Sequence, residues 1–357
     1  MEKRKCRKGQ IMSLFGSVKD HILIGGPNAV SGWGLLVLLV FSGGVYACQL
    51  KPGVDLSLFL AVLAAAALTG NGVYALNAYY DVEADKVNKP NRPLPSGRMS
   101  MQHALKYAYT LLATGLAVAV AVSVLLRNPL MIGLWSIFTL LGFAYSKPPS
   151  KLKGRHIFGN LCFGTFVTLA AFIGMILTPK GVTMIDLASY SFITIYIAGI
   201  ITMKDFADYE GDRKNNDITL PVKFGRRKAA TISIVLIIIP VIVWSMLYPS
   251  ANLLNWILSN WGSLLIMGSF AVYMALDYAW QDHTISDAYS RVIYFYVILY
   301  TAYSFLKTPL LPVNLVPIVS AWDRQIALSI YAAIATVIVL TSWRKRRDIL
   351  KPRVKDI

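Results

Sequence analysis

The stretch Leu56–Asp85, LSLFLAVLAAAALTGNGVYALNAYYDVEAD, carries no charge until Asp81 and then places Asp81, Glu83 and Asp85 close together. Its apolar part exceeds the ~20 residues a helix needs to cross a bilayer. Asn77 falls inside that span, where a polar amide requires a partner. Asn77, Asp81 and Asp85 are spaced four apart, so on a helix they line one face, while Glu83 points elsewhere. Carboxylates beside a bilayer core are costly, and clusters of them there mark functional sites. A second such stretch, Lys204–Asp212 (KDFADYEGD), has Asp208 and Asp212 four apart and Asp205 three before Asp208.

The rest of the chain agrees with a membrane setting. Of 357 residues, 56% are hydrophobic and only 15% charged, against about a quarter charged in soluble domains. Ten candidate spans are predicted, at 29–48, 56–80, 104–126, 129–145, 157–177, 185–204, 229–248, 262–279, 289–306 and 327–343. The expected fold is an all-α polytopic bundle of nine or ten spans, with no separate soluble domain. It divides into a basic N-terminus (1–25), the main bundle (26–310), an extra C-terminal span within 311–343 and a basic tail (344–357). The basic Met1–Gly9 precedes an apolar run too long for a cleaved signal core, so a retained first helix is expected.

Charge sets the expected orientation. With a cytoplasmic N-terminus and alternating spans, only Lys51, Arg127, Lys180, Lys307 and Arg324 of the 35 Lys and Arg fall on the far side. This asymmetry follows the positive-inside rule. It explains the net charge of +17 without nucleic acid, and puts both acidic stretches and the Lys-rich loop 147–155 on the cytoplasmic face. A weak internal repeat is also visible. Each acidic stretch is followed by a basic loop and a Leu-Pro turn, Leu94-Pro95 and Leu220-Pro221. Cys6, Cys48 and Cys162 match no metal or redox spacing, and the four histidines form no ligand pattern.

Oxygen ligands at this density suit Mg²⁺, which binds few carboxylates and keeps places for water and substrate phosphates. Two acid stripes facing each other across a cavity would hold ions against a diphosphate. The negative charge of a leaving diphosphate calls for Arg or Lys. Candidates are Arg92 and Arg98, Lys151 and Lys153, and Arg213 and Lys214, the last two also explained by the positive-inside rule. Arg92 sits in a loop restrained by prolines. Tyr145 ends a span and is placed either to face a prenyl cation or to anchor at the interface. An ion-coupled transporter would carry its acids near the bilayer midplane on broken helices, whereas these lie at span ends beside basic loops.

Asn77-x3-Asp81-x3-Asp85 followed by Asn91-Arg92-Pro93-Leu94-Pro95-Ser96-Gly97 resembles the first motif of the UbiA superfamily of intramembrane prenyltransferases. Lys204–Arg213 with Thr219-Leu220-Pro221-Val222 resembles the second. The resemblance implies a helical bundle around a cavity open to membrane lipid, with a Mg²⁺-bound prenyl diphosphate capped by cytoplasmic loops. The metal would be carried by Asn77, Asp81, Asp85, Asp208 and Asp212, with Asp205 nearby. Asp81, Asp208 and Tyr145 would be catalytic, and Asn77, Arg92, Lys151, Lys153 and Asn160 would bind substrate. Within the superfamily, Ala144–Lys153 with Gly159-Asn160 looks most like chlorophyll and bacteriochlorophyll synthases, which implies a geranylgeranyl or phytyl group moved to a chlorophyllide propionate. Lys204-Asp205 with Asp208–Asp212 also resembles archaeal enzymes that add a second geranylgeranyl group to a glycerol phosphate lipid. An aromatic quinone precursor is a further candidate among lipid-soluble or amphiphilic acceptors.

Overall fold

A computed structural model describes residues 20–21, 23–24, 56–177, 184–247, 253–279, 283, 285–290 and 292–293. The expected spans at 29–48 and 327–343, and most of that at 289–306, lie outside the described residues. The chain forms α1 (Leu56–Tyr80), α2 (Val82–Asn88), α3 (Met101–Leu125) and α4 (Pro129–Ser146). After a short 3-10 turn at Leu152–Gly154 come α5 (Ile157–Met175), α6 (Met184–Ala207) and α7 (Tyr209–Lys214). These are followed by α8 (Leu220–Phe224), α9 (Arg226–Leu247) and α10 (Leu253–Ala279). Among the described residues there is no β-strand, only an isolated parallel bridge between Arg155 and Ile218.

Helices α1, α3, α4 and α5 are long and apolar enough to cross a membrane. Helices α6, α9 and α10 run for 24, 22 and 27 residues, which at about 1.5 Å per residue also reaches a hydrocarbon core of about 30 Å. A helix stands at each expected span from 56–80 to 262–279, with ends displaced by up to about three positions, except that α10 begins at Leu253 rather than 262. Ser100 starts α3 by accepting a hydrogen bond from the His103 N–H, and Asn128 precedes Pro129 at the start of α4, where a missing N–H costs nothing.

The helices pack in sequence. α1 lies along α3, α3 along α4, α4 along α5, α5 along α6, α6 along α9 and α9 along α10. α5 is buried along nearly its whole length, whereas Leu60, Leu125, Leu130, Leu140 and Met246 point outward, as lipid-facing side chains do. Specific ties fix the pairs. Trp135 on α4 donates through Nε1 to Thr69 Oγ1 on α1 at 3.0 Å in the core. Phe138 and Phe166 meet edge to face at 5.0 Å. Without a hydrophobic drive between helices in lipid, close approach at small residues matters most. Gly164 on α5 is such a point, since a Cβ there would lie 2.1 Å from the Thr194 carbonyl oxygen on α6.

That contact is backbone and has no means of moving aside. Gly164→Val is expected to lower stability by about 1–3 kcal/mol, read as a drop in thermal midpoint of the detergent-purified protein. Gly133→Ala, where an added Cβ meets nothing within 4 Å, serves as the control and does not lower the midpoint.

Candidate active site

The two acidic stretches are built alike. α1 ends at Tyr80, Asp81 adopts φ −96° and ψ 7°, and α2 follows. α6 ends at Ala207, Asp208 adopts φ −98° and ψ 3°, and α7 follows. The four-residue hydrogen bonding continues through both breaks. Asp81 N donates to Asn77 O at 2.9 Å and Asp85 N to Asp81 O at 2.8 Å; Asp208 N donates to Lys204 O at 3.2 Å and Asp212 N to Asp208 O at 3.0 Å. The weak repeat read from the sequence is therefore a repeat of backbone design. α2 packs on α7, and Asn88 bridges them: its Nδ2 donates to Asp208 O at 2.9 Å and its Oδ1 accepts from the Gly211 N–H at 3.0 Å. A Cβ at position 211 would sit 2.3 Å from that amide, so the glycine lets the two motif helices close on each other.

Asp81, Asp85, Asp205, Asp208 and Asp212 are all buried, and cations from several loops reach them. Lys153 Nζ lies 2.6 Å from Asp81 Oδ2 and 3.6 Å from Asp212 Oδ1. Lys89 Nζ lies 2.6 Å from Asp208 Oδ2 and 3.6 Å from Asp85 Oδ1. Arg92 Nη1 donates to Asp85 Oδ2 at 2.8 Å, and Lys204 Nζ is 3.5 Å from Asp208 Oδ2. The first and second motifs thus belong to one cluster, with Lys89 and Lys153 crossing between them. Glu83 instead pairs with Lys86 at 2.7 Å on the exposed surface.

The electrostatics follow from this pairing. Burial alone would raise the Asp81 carboxyl, but Lys153 outweighs it and holds the group below the ordinary carboxylate range. Asp208 is likewise favoured by burial toward the neutral form and pulled well below that range by Lys89 and Lys204. Burial dominates at Asp212, which is pushed up to about 6 against the pull of Lys153 and with the help of neighbouring Asp208. The Lys153 ammonium, despite burial, is held above its usual range by Asp81 and Asp212. Asp81 Oδ1 and both Asp212 carboxylate oxygens are buried with no hydrogen-bond partner. Such oxygens are costly in a low-dielectric interior, and they are the atoms a hard divalent cation takes. The donor set therefore fits such an ion. Among the described residues, however, no group of three or more His, Cys, Asp or Glu side chains is arranged to hold a single ion. The acids lie in one cluster but are divided among lysines and an arginine, rather than facing one another as two bare stripes.

The other expected residues fall into place unevenly. Asn77 Nδ2 makes a long 3.5 Å contact with Ser146 Oγ, the partner its position inside a span demands. Tyr145, part-buried and edge-on to Phe166 at 6.1 Å, lies within electrostatic reach of Lys204, Asp205 and Lys153, beside the cluster. Lys151 pairs with buried Asp217 at 2.5 Å and not with a motif acid. Asn160 donates its amide to Ala198 O and Thr202 Oγ1, both at 3.0 Å, and so ties α5 to α6. Arg98 is exposed and bound to Asp20, while Arg213 and Lys214 are exposed. Sequence reasoning passes over Lys89, Asn88 and Asp217, and includes Lys204 in the second motif without a charge-pairing role. For the lysines a signal existed, since Lys89 lies four after Asp85 and Lys204 four before Asp208. Nothing local marks Asn88 or Asp217.

Comparison with known proteins agrees with this geometry. Residues 36–292 match the UbiA prenyltransferase family. A digeranylgeranylglyceryl phosphate synthase from Methanosphaera stadtmanae is 32% identical over 221 residues, which covers 62% of this chain and 74% of that protein. A solved structure of a UbiA homolog from Archaeoglobus fulgidus bound to DMAPP and Mg²⁺ superposes with a TM-score of 0.54 at 20% identity, covering 77% of this chain and 96% of the homolog. A structure from work on digeranylgeranylglyceryl phosphate synthase in membranes gives 0.55 at 22% identity, covering 82% and 99%. The doubled aspartate motif, the helical membrane bundle and the family match lead to one statement: this chain is a prenyltransferase of the UbiA family.

Proposed function

We propose that this enzyme transfers a geranylgeranyl group from its diphosphate to a glycerol phosphate lipid that already carries a prenyl chain. The observation that carries prenyl transfer is the single cluster formed by both aspartate motifs with Lys89, Arg92, Lys153 and Lys204 among them, and the acceptor follows the relative named below. Mg²⁺ would be held by Asn77, Asp81, Asp85, Asp208 and Asp212, with Asp205 beside them. When bound, the metal neutralises the diphosphate and favours its departure. The protein's own cations then face charge that develops as the allylic carbon–oxygen bond breaks, and fixed donors at that point stabilise the transition state. Tyr145 is assigned to the face of the resulting allylic cation. The apolar helices around the site hold the prenyl chain and exclude water, which protects the cation from hydrolysis. The active mouth is assigned to the cytoplasmic side on the asymmetry of Lys and Arg.

The loop Ala144–Lys153 taken by itself favours a chlorophyllide propionate as acceptor. The Methanosphaera stadtmanae relative is named for a glycerol phosphate product, and this favours the lipid acceptor. In the structure Lys151 of that loop is engaged with Asp217 and Asn160 with α6, so neither offers a specific argument for a tetrapyrrole.

Asp81→Asn and Asp208→Asn are each expected to lower turnover by at least ~100-fold in folded protein, measured with labelled geranylgeranyl diphosphate. Wild-type turnover in either variant removes that residue from the metal site. Lys153→Met is expected to weaken prenyl diphosphate binding and to cut kcat/KM by roughly 100-fold; an unchanged binding isotherm contradicts its role. Chelation should abolish activity and added Mg²⁺ restore it. Offered a prenylglyceryl phosphate, chlorophyllide and an aromatic quinone precursor together, the enzyme should label the lipid phosphate, and label on chlorophyllide alone reverses the acceptor assignment.

A further inference from the structure

Arg226 has no part in the chemistry above, yet it is buried. It opens α9, and its side chain is 7% exposed. Its Nη1 donates to Tyr273 OH at 3.2 Å and to Asp287 Oδ1, while Nη2 donates to Asp287 Oδ2 at 3.4 Å. Asp277 lies 4.0 Å away and is itself held by His283 Nδ1 at 2.7 Å. The guanidinium also covers the ring of Tyr209, 4.6 Å from its centre. A planar, multiply bonded arginine of this kind is a rigid element, and lysine is no substitute for it.

Both aromatic partners lead to the second acidic motif. Tyr209 follows Asp208 directly in the chain. Tyr273 stacks flat on Phe206, with 4.0 Å between ring centres and 9° between planes, and Phe206 sits between Asp205 and Asp208. Phe206 and Tyr273 are fully buried. The arginine therefore grips the chain on both sides of Asp208. That turn needs an outside support, because α7 has only 6 residues and a helix so short does not hold itself in place.

We propose that Arg226 is a positioning residue for the metal: through Tyr209 and Tyr273 it fixes the turn at Asp208 and so sets where the Asp208 and Asp212 oxygens stand. The inference rests on the metal role proposed for those acids. Groups that orient metal ligands typically alter metal affinity or activity 10–100-fold when lost.

The test uses the full chain in detergent, as Arg226→Gln and Tyr209→Leu. Mg²⁺ is titrated in two assays: turnover, and thermal stabilisation by Mg²⁺ with a non-reacting prenyl diphosphate analogue and no acceptor. The half-saturating Mg²⁺ concentration is expected to rise by roughly 10–100-fold in both assays, with turnover approaching the parent value at saturating Mg²⁺. Thermal midpoints without Mg²⁺ report folding separately. If Arg226→Gln does not fold, Tyr209→Leu decides, because it leaves the arginine its aspartates and removes only the ring. An unchanged Mg²⁺ requirement in the folded variant overturns the proposal. Asp208→Asn is the control: if it keeps the parent Mg²⁺ response, the metal site itself is misassigned. If it loses that response while Arg226→Gln and Tyr209→Leu keep theirs, the brace alone is refuted.

Discussion

Aspartates buried at the end of a bundle of apolar helices are tolerated only when cations reach them, because an unpaired charge in a low-dielectric interior is costly by several kcal/mol. In this protein some of the cations are local, as Arg92 is to Asp85 and Lys204 to Asp208, and others come from elsewhere in the chain. Lys153, in the turn between α4 and α5, serves Asp81 and approaches Asp212. Lys89, which follows the first motif, serves Asp208 in the second. Each motif is therefore neutralised in part by a loop that it does not own, and moving such a loop would leave a buried carboxylate short of a cation. The backbone reinforces the arrangement: His156 N donates to Ile218 O at 2.7 Å and Ile218 N to Gly154 O at 3.1 Å, which joins the central turn to the loop behind the second motif.

The same pairing shapes the chemistry. Where acids and bases are interleaved at 2.6–3.6 Å, a site offers oxygen ligands to a metal and ammonium groups to a diphosphate without moving main chain. The oxygens of Asp81 and Asp212 that lack a hydrogen bond belong to the two carboxylates that Lys153 approaches. Preorganised charge of this sort costs no reorganisation at the moment of reaction.

Much of the architecture was legible beforehand. Apolar runs of span length, the separation of Lys and Arg between alternate loops, and carboxylates at four-residue spacing are local patterns, and they pointed to a membrane bundle with two acid motifs. Arg92 and Lys153 stand out in the sequence by closeness to acids or by their place in a basic loop, and both meet the cluster. Tyr145 stands out by its place at a span end, and lies beside the cluster. Lys151 looked equivalent to Lys153, yet the turn at Leu152–Gly154 sends one to Asp217 and the other to Asp81. Asn160 looked like a substrate contact and ties two helices together.

The difference between these cases is physical. Helical periodicity and hydropathy act over a few residues, so the chain carried its spans, its acid stripes and hence its class of chemistry in plain order. Which cation neutralises which carboxylate depends on groups 72 or 119 positions apart, brought together when helices pack and buried charges find partners. Those pairings, and the brace of Arg226 on the second motif, arise from the competition between desolvation and long-range ion pairing, which no local pattern encodes.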